Sequence, residues 1–226
     1  MAEAESGGVG AAGARNTMGA RRDELLLKMY DQMFSDINRH ILVVWQSVGV
    51  LVGAFSLFSL VERELVPLDI ASALMVLLAG WLVAHLYDAA YWYNRNLVII
   101  ANIERQFLRR EDLHEIQYYF GAHRPDRMFT HLRIQYALAI GLSGIVLVYH
   151  FCLRVLPYFG PDWRLIQPAA SVPYLTLLVA AFYLERLRRQ RAASYAEFVR
   201  NSPGIDIETI GVSYGIGHGF EAPREQ

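Results

Sequence analysis

Apolar residues along this chain are collected into four long blocks, and the charged residues lie mainly between them. In a soluble domain of this length, apolar positions would instead recur at a spacing of two or about 3.6 residues. The blocks cover residues 41–61, 70–93, 128–156 and 168–184. A helix needs about 20 apolar residues to cross the hydrocarbon of a bilayer. The pattern therefore predicts an all-α fold, a four-span transmembrane helical bundle.

The predicted fold is organised around a central stretch, residues 69–120. Its first half is apolar enough to cross a bilayer, whereas its second half is charged and amphipathic and contains neither Gly nor Pro. Because Gly and Pro most often mark helix ends, we expect one nearly continuous helix that leaves the membrane, continues in water and ends at Gly121.

Segments flanking the spans complete the predicted organisation. The beginning of the chain is rich in Gly, Ala, Ser and Glu, which offer too little apolar area to offset the entropy of ordering. In chain order we predict a disordered tail at 1–22, a cytoplasmic amphipathic helix at 23–40, a first transmembrane hairpin at 41–93, a cytoplasmic helix and loop at 94–127, a second transmembrane hairpin at 128–184, a cytoplasmic C-terminal helix at 185–202 and a flexible tail at 203–226.

The amphipathic helix at 23–40 has two interpretations. Its apolar residues recur at three- and four-residue spacing: Leu26, Met29, Tyr30, Met33, Phe34 and Ile37. That face either packs on other cytoplasmic helices of the same protein or lies in the lipid interface. The polar face mixes both signs of charge instead of being rich in Lys and Arg, which favours packing.

Basic residues are distributed asymmetrically among the connections. The segment before the first span has five, residues 94–133 have seven, and the segment after Leu184 has six. The other two connections hold only Arg63 and Arg164, with Arg154 at the end of the third span. Because cytoplasmic loops carry the excess of Lys and Arg, we expect a bacterial inner-membrane protein with both termini in the cytoplasm.

Composition narrows the class of partners. Of 226 residues, 54% are hydrophobic, and the formal net charge is −1. A near-neutral chain has no bulk electrostatic attraction for nucleic acid, so the lipid bilayer is the expected partner. The lone Cys152 excludes an intramolecular disulfide and a cysteine-based metal cluster.

Small residues recur on one face of three predicted spans. They are Gly49 and Gly53 in the first span, Gly80 and Ala84 in the second, and Ala137, Gly141 and Gly144 in the third. Such residues let helix backbones approach closely in a membrane. We expect these faces to pack on other helices, within the chain or between copies, and we predict a homo-oligomer.

Two ionisable residues of the second span require an explanation, because charge is costly in hydrocarbon. His85 and Asp88 are three residues apart and share a helix face. Three interpretations are open for Asp88. It pairs with Arg133 or a neighbouring base and fixes helix packing, it forms a His–Asp ring at the cytoplasmic mouth of a pore or pocket, or it reaches interfacial water.

Other polar residues gather at the same predicted level. A candidate polar layer or pore mouth consists of Arg39, His40, His85, Asp88, Asn94, Arg95, His131 and Arg133. No spacing joins its His and Asp residues as a metal motif would, and the sequence contains no nucleophile elbow or Gly-rich nucleotide loop. We therefore expect no metal, no cofactor and no enzymatic activity.

One segment resembles a known type of membrane protein. Residues 87–108, YDAAYWYNRNLVIIANIERQFL, are similar to the segment that leaves the second span in RipA-like octameric and SLATT-type small bacterial membrane proteins. The matching positions are Asn96, Ile100, Ile103 and Glu104. This chain differs from that plan by its second hairpin. The resemblance implies self-assembly and pore formation.

The expected function is that of a non-enzymatic, homo-oligomeric membrane protein acting as a scaffold or pore-like assembly. Two alternatives stay open. One is an ion-conducting channel or defence-type membrane effector. The other is an accessory subunit whose cytoplasmic helices dock a cytoplasmic or membrane protein.

Overall fold

The computed structural model describes residues 6–109, 112, 125–158 and 167–203, and every regular element within these residues is helical. The helices are α1 (Ser6–Ala54), α2 (Leu57–Glu62), α3 (Leu68–Phe107), α4 (Thr130–Arg154) and α5 (Val172–Arg200). Single turns of 3₁₀-helix cover Leu156–Tyr158 and Pro168–Ser171.

Four helical stretches among the described residues are long and apolar enough to cross a membrane. They are Met18–Glu62, Leu68–Phe107, Thr130–Tyr158 and Pro168–Arg200. The prediction of an all-helical, multi-pass membrane fold is confirmed at this level.

α3 is the most deeply buried of the four membrane-length helices. Half of its most apolar window lies inside the chain, compared with 17%, 17% and 11% for the other three. Its inward side chains include Val76, Leu82, Val83 and Leu86, each at most 2% exposed. The other spans therefore present most of their apolar surface outward, where lipid or other protein must cover it.

The described residues form two compact units. One contains residues up to Asn38 together with 96–109, and the other contains Arg39–Arg95 and Pro125–Ser202. In the first unit, the Tyr30 hydroxyl donates to Glu104 Oε1 at 3.3 Å, and Arg22 donates to the Gln106 side chain at 3.1 Å. The amphipathic helix thus packs on a helix of its own chain, as its mixed charge favoured.

Three helix boundaries differ from the sequence-based expectation. α1 begins at Ser6, where we expected a disordered tail to Arg22. The first span turns after Ala54, where the Ser56 hydroxyl donates to the Gly53 carbonyl at 2.7 Å. Gly and Ser are frequent at such helix breaks.

The third difference is the end of the central helix. α3 ends at Phe107 instead of continuing to Phe120. The Asp112 carboxylate accepts the Arg109 backbone N–H at 2.7 Å, which is the contact by which a residue caps the start of a new helical turn. The remainder of the predicted continuation, and the tail after Pro203, lie outside the described residues.

α2 and α3 are joined by a tight turn that positions the start of α3. Glu64 has a φ of 59°, its N–H donates to the Val61 carbonyl, and the Leu65 N–H donates to the Leu60 carbonyl. This is the Schellman arrangement that ends helices with a left-handed residue. Pro67 follows, and its carbonyl accepts the first N–H groups of α3, next to Asp69.

Candidate functional site

A buried ionic cluster joins the start of α3 to the end of α4 and the start of α5. We call its residues, Asp69, His150, Arg154, Gln167 and Tyr174, the Asp69 cluster. The Asp69 carboxylate is held by a two-pronged contact from Arg154: Nε donates to Oδ1 at 3.1 Å and Nη2 donates to Oδ2 at 2.9 Å. Asp69 is 2% exposed, so this charge pair is largely removed from water.

His150 completes the cluster from the same helix as Arg154. Its Nε2 lies 2.8 Å from Asp69 Oδ1, and its Nδ1 lies 3.1 Å from the Tyr174 hydroxyl. In the tautomer that carries its proton on Nε2, Nε2–H donates to Asp69 and the Tyr174 hydroxyl donates to Nδ1. His150 is fully buried, and both its ring nitrogens are satisfied.

The polar groups of the Asp69 cluster form hydrogen bonds with one another. Both Asp69 oxygens accept hydrogen bonds, both His150 nitrogens are engaged, and Arg154 also donates to the Gln167 side chain at 2.8 Å. With its polar groups paired to one another, the cluster is suited to fastening three helix ends together. It leaves no free base or nucleophile for chemistry.

Sequence reasoning did not connect His150 to Asp69. The two residues are 81 positions apart, so no local spacing reveals them. One signal was present. Asp69 lies next to Pro67 at a helix start, and His150 and Arg154 are four residues apart on one face near a helix end.

The opposite end of the same unit contains the predicted polar residues, and we call it the Asp88 end. Asp88 forms an ion pair with Arg191 of α5, and the Arg191 guanidinium lies 4.9 Å from the centroid of the Tyr91 ring. The base is therefore Arg191 and not Arg133, which is exposed. Both paired side chains are 32% exposed, unlike the buried acid of the Asp69 cluster.

Further aromatic and cationic side chains contact one another at this end of the unit, on α1, α3 and α5. His40 of α1 stacks on Trp92 of α3 with ring centroids 6.0 Å apart. The Arg95 guanidinium lies 5.0 Å from the Trp92 ring centroid and 5.4 Å from that of Phe198 in α5. Such cation–aromatic contacts stabilise a partly exposed site by about 0.5–1 kcal/mol each.

Tyr93 links this group to α4. Its ring centroid lies 5.7 Å from that of His131 and 6.4 Å from that of His40. Asn94 donates from Nδ2 to the backbone carbonyls of Ala90 and Arg127, at 2.8 and 2.9 Å. The predicted layer is thus partly assembled.

Three predicted members take no part in the contacts described above. His85 contacts Trp81 edge-to-face, with centroids 4.7 Å apart. Arg133 is exposed, and Arg39 is exposed at the beginning of the unit.

Several buried polar atoms at the Asp88 end lack a hydrogen-bond partner among the described residues. They are the Tyr93 hydroxyl, Gln135 Oε1 and His131 Nε2. Tyr93 and Gln135 are 3% and 4% exposed, so water cannot reach them freely. Unlike the Asp69 cluster, this end has unused hydrogen-bonding capacity.

The predicted small-residue faces behave differently from one another. A Cβ built on Gly80 would lie 3.3 Å from Ala180 Cβ, so α3 and α5 approach closely there. No described atom of the surroundings comes within 4 Å of a Cβ built on Gly49, Gly53, Gly141 or Gly144. Ala137 is also exposed, so the α1 and α4 faces are not used in packing within the described chain.

An apolar groove of about 690 Å³ runs between α3 and α5 beside Gly80. Ala84 is one of its lining residues, with Leu77 and Trp81 from α3 and Leu175, Val179 and Tyr183 from α5. Its volume is in the range of ligand pockets, which is about 300–1,000 Å³.

Within the part of the chain that the structure describes, no three His, Cys, Asp or Glu residues are grouped as a metal site would require. No protein-family model matches the chain, and no curated protein or solved structure matches it significantly. The four positions of the sequence resemblance, Asn96, Ile100, Ile103 and Glu104, are all buried in the structure.

Proposed function

We propose that this chain forms a homo-oligomeric, multi-pass scaffold in a bacterial inner membrane, with both termini in the cytoplasm. The observation that carries the proposal is the pair of open glycine faces on α1 and α4. Glycines let two helix backbones approach closely, and this gives no stabilisation where a helix faces only lipid tails. A second copy is the simplest partner for both faces.

Burial and charge support the same reading. Three of the four membrane-length helices bury less than a fifth of their most apolar windows within the chain. The positive-inside rule, applied to the arginine-rich connections, supports an Asp88 end on the cytoplasmic side. The Asp69 cluster would then lie at the opposite membrane surface, where it fastens the helix ends of each copy.

Native mass spectrometry in a mild detergent tests the proposal. We expect the wild-type chain to release as a multiple of the monomer mass. Gly49→Leu combined with Gly53→Leu should shift it towards monomer, because two isobutyl groups prevent close approach at that face. Val52→Leu, an equally exposed change on the same helix, is the matched control and should leave the oligomer intact.

A strictly monomeric wild-type chain in detergent and in nanodiscs would overturn the proposal. A constant second protein at fixed ratio, recovered from native membranes without self-association, would instead support an accessory subunit.

A pore-forming version of the assembly is favoured by one observation, the buried polar atoms of Tyr93, His131 and Gln135 that find no partner among the described residues. Ordered water enclosed in a pore-forming assembly would supply the hydrogen bonds that these atoms lack in a single chain. Ion flux into liposomes tests this version. Flux that falls in Asp88→Ala while the oligomer persists would support it, and an ion-tight wild-type assembly would exclude it.

A further inference from the structure

The groove between α3 and α5 differs from the rest of the outward apolar surface because it is concave and short. Its α5 side runs from Val172 to Leu184. Twelve steps of 1.5 Å give a length of about 18 Å. One leaflet of a bilayer contributes about 15 Å of hydrocarbon, half of the total of about 30 Å. On α5 the groove covers most of the fourth predicted span, but on α3 its lining is confined to residues 77–84, about 10 Å of helix. The part with walls on both sides therefore suits one acyl chain and is too short for a partner helix that extends along the whole span.

Charge is concentrated immediately beyond one end of the groove. Beyond the Ala84–Leu184 level lies the ion pair of Asp88 with Arg191, four residues further along α3 and seven further along α5. Along α5, groove-lining residues recur at Leu175, Val179 and Tyr183, and Arg186 follows Tyr183 by three residues, on the same side of the helix. Arg186 is exposed.

The local balance of charge at this end is positive. Residues Arg186, Arg188, Arg189 and Arg191 face two acids, Asp88 and Glu185. Glu185 is engaged by Arg188 at 2.8 Å and by Arg189 at 2.6 Å. Arg186 and the half-exposed Arg191 are the guanidinium groups nearest in register to the groove. A guanidinium recognises phosphate with two parallel hydrogen bonds.

We propose that the groove is a binding site for an anionic phospholipid of the Asp88-side leaflet. One acyl chain lies against Trp81, Val179 and Tyr183, and the headgroup phosphate is held by Arg186 and Arg191. The apolar lining supplies contact with the chain, and the excess of arginine distinguishes an anionic lipid from a zwitterionic one. The site belongs to a single chain, so it does not depend on the proposed oligomer.

Tryptophan quenching by brominated lipid tests the proposal, because Trp81 lines the groove. The protein is reconstituted in vesicles containing either phosphatidylglycerol or phosphatidylcholine with brominated acyl chains. We expect stronger quenching by the phosphatidylglycerol. The difference between the two lipids should disappear in Trp81→Phe, which retains the other tryptophans.

Two arginine variants distinguish a specific lipid-binding site from a general attraction of anionic lipid to surface charge. A basic residue near a membrane surface stabilises binding of anionic lipid by about 1 kcal/mol, so Arg186→Gln should reduce the preference for phosphatidylglycerol about fivefold. Arg189→Gln removes the same charge from the same helix but lies off the groove stripe, and it should leave the preference unchanged. Helical circular dichroism confirms that each variant is folded.

Three results would overturn the proposal. Equal quenching by the two brominated lipids would show that the groove does not select anionic lipid. An equal loss in Arg186→Gln and Arg189→Gln would assign the preference to general surface charge. No quenching of Trp81 by either lipid would show that a second copy or another segment covers the groove.

Discussion

The two ends of the helical unit use the same chemistry in opposite ways. Each end has an aspartate of α3 paired with an arginine of a neighbouring helix. Asp69 is buried, accepts three hydrogen bonds and is linked through His150 to Tyr174. Asp88 is one-third exposed, its partner Arg191 lies over the Tyr91 ring, and the same end of the unit holds buried polar atoms that lack partners among the described residues.

This difference gives the two ends different roles: the Asp69 cluster holds its helices in one arrangement, and the Asp88 end can adapt. A fully satisfied buried network favours a single arrangement of its helices, because any movement leaves a charge unpaired. Each member of an ion pair that is one-third exposed can exchange its partner for water at little cost in free energy. We therefore expect the Asp69 cluster to determine stability, and the Asp88 end to accept ligands, lipid or neighbouring copies.

The largest effect should follow from Asp69→Asn. This change leaves the Arg154 guanidinium, 31% exposed, without its counter-charge next to a buried histidine. Removing one partner of a buried pair costs about 3–5 kcal/mol, and the partial exposure of Arg154 places the expected loss near 3 kcal/mol. Denaturant unfolding in detergent, followed by circular dichroism, measures it. Glu62→Gln changes an exposed acid at the same end and is the control. An equally small loss of unfolding free energy in Asp69→Asn and in Glu62→Gln would contradict the account.

A smaller loss should follow from His150→Phe, which keeps an aromatic ring of similar size but breaks the link between Asp69 and Tyr174. Two hydrogen bonds are lost and the Tyr174 hydroxyl loses its acceptor, so we expect about 2 kcal/mol. The neighbouring Tyr149→Phe alters an exposed residue and should be nearly silent. Similar unfolding midpoints for the two variants would show that the link does not stabilise the fold.

Breaking the second ion pair should cost much less. Asp88→Asn and Arg191→Gln should each lower the free energy of unfolding by about 1 kcal/mol or less, because both groups are partly exposed. A double-mutant cycle gives the coupling energy directly. A coupling at Asp88–Arg191 as large as that at Asp69–Arg154 would erase the distinction between the two ends.

The smallest effects are expected at Tyr93 and Tyr174, two tyrosines whose hydroxyl groups differ in their hydrogen-bond partners. Tyr93→Phe removes a buried hydroxyl without a described partner, so stability should be unchanged or slightly raised. Tyr174→Phe removes the hydroxyl that donates to His150 and should cost about 1 kcal/mol. Destabilisation by Tyr93→Phe equal to that by Tyr174→Phe would reveal a bound water or ligand at the Asp88 end.

Much of the architecture could be predicted from the sequence, because blocks of apolar residues and their lengths decide which segments can cross a membrane. Helix ends were harder to predict from the sequence. The stop of α3 at Phe107 depends on capping between Arg109 and Asp112, which competes with good helix-forming residues on both sides. The turn at Phe55 and Ser56 depends on one hydroxyl contact with Gly53.

The candidate site shows where sequence reasoning stops. The charge of Asp88 required a partner, and this was foreseen, but its choice of Arg191 over Arg133 depends on how α5 packs beside α3. The Asp69 cluster was missed because its residues come from three separated segments. Gly80 lies against Ala180, whereas Gly49 and Gly53 do not pack within the described chain, a distinction that spacing alone does not contain.

Disulfide trapping in native membranes tests the central claim, self-association through the open face of α1, most directly. In a Cys152→Ser background, Gln46→Cys places a thiol on the exposed face that carries Gly49 and Gly53, without altering either glycine. Ser47→Cys, at a position 1% exposed, is the matched control. The account predicts a cross-linked dimer for Gln46→Cys and none for Ser47→Cys. Absence of dimer at Gln46, under oxidation that cross-links a known membrane dimer, would contradict it.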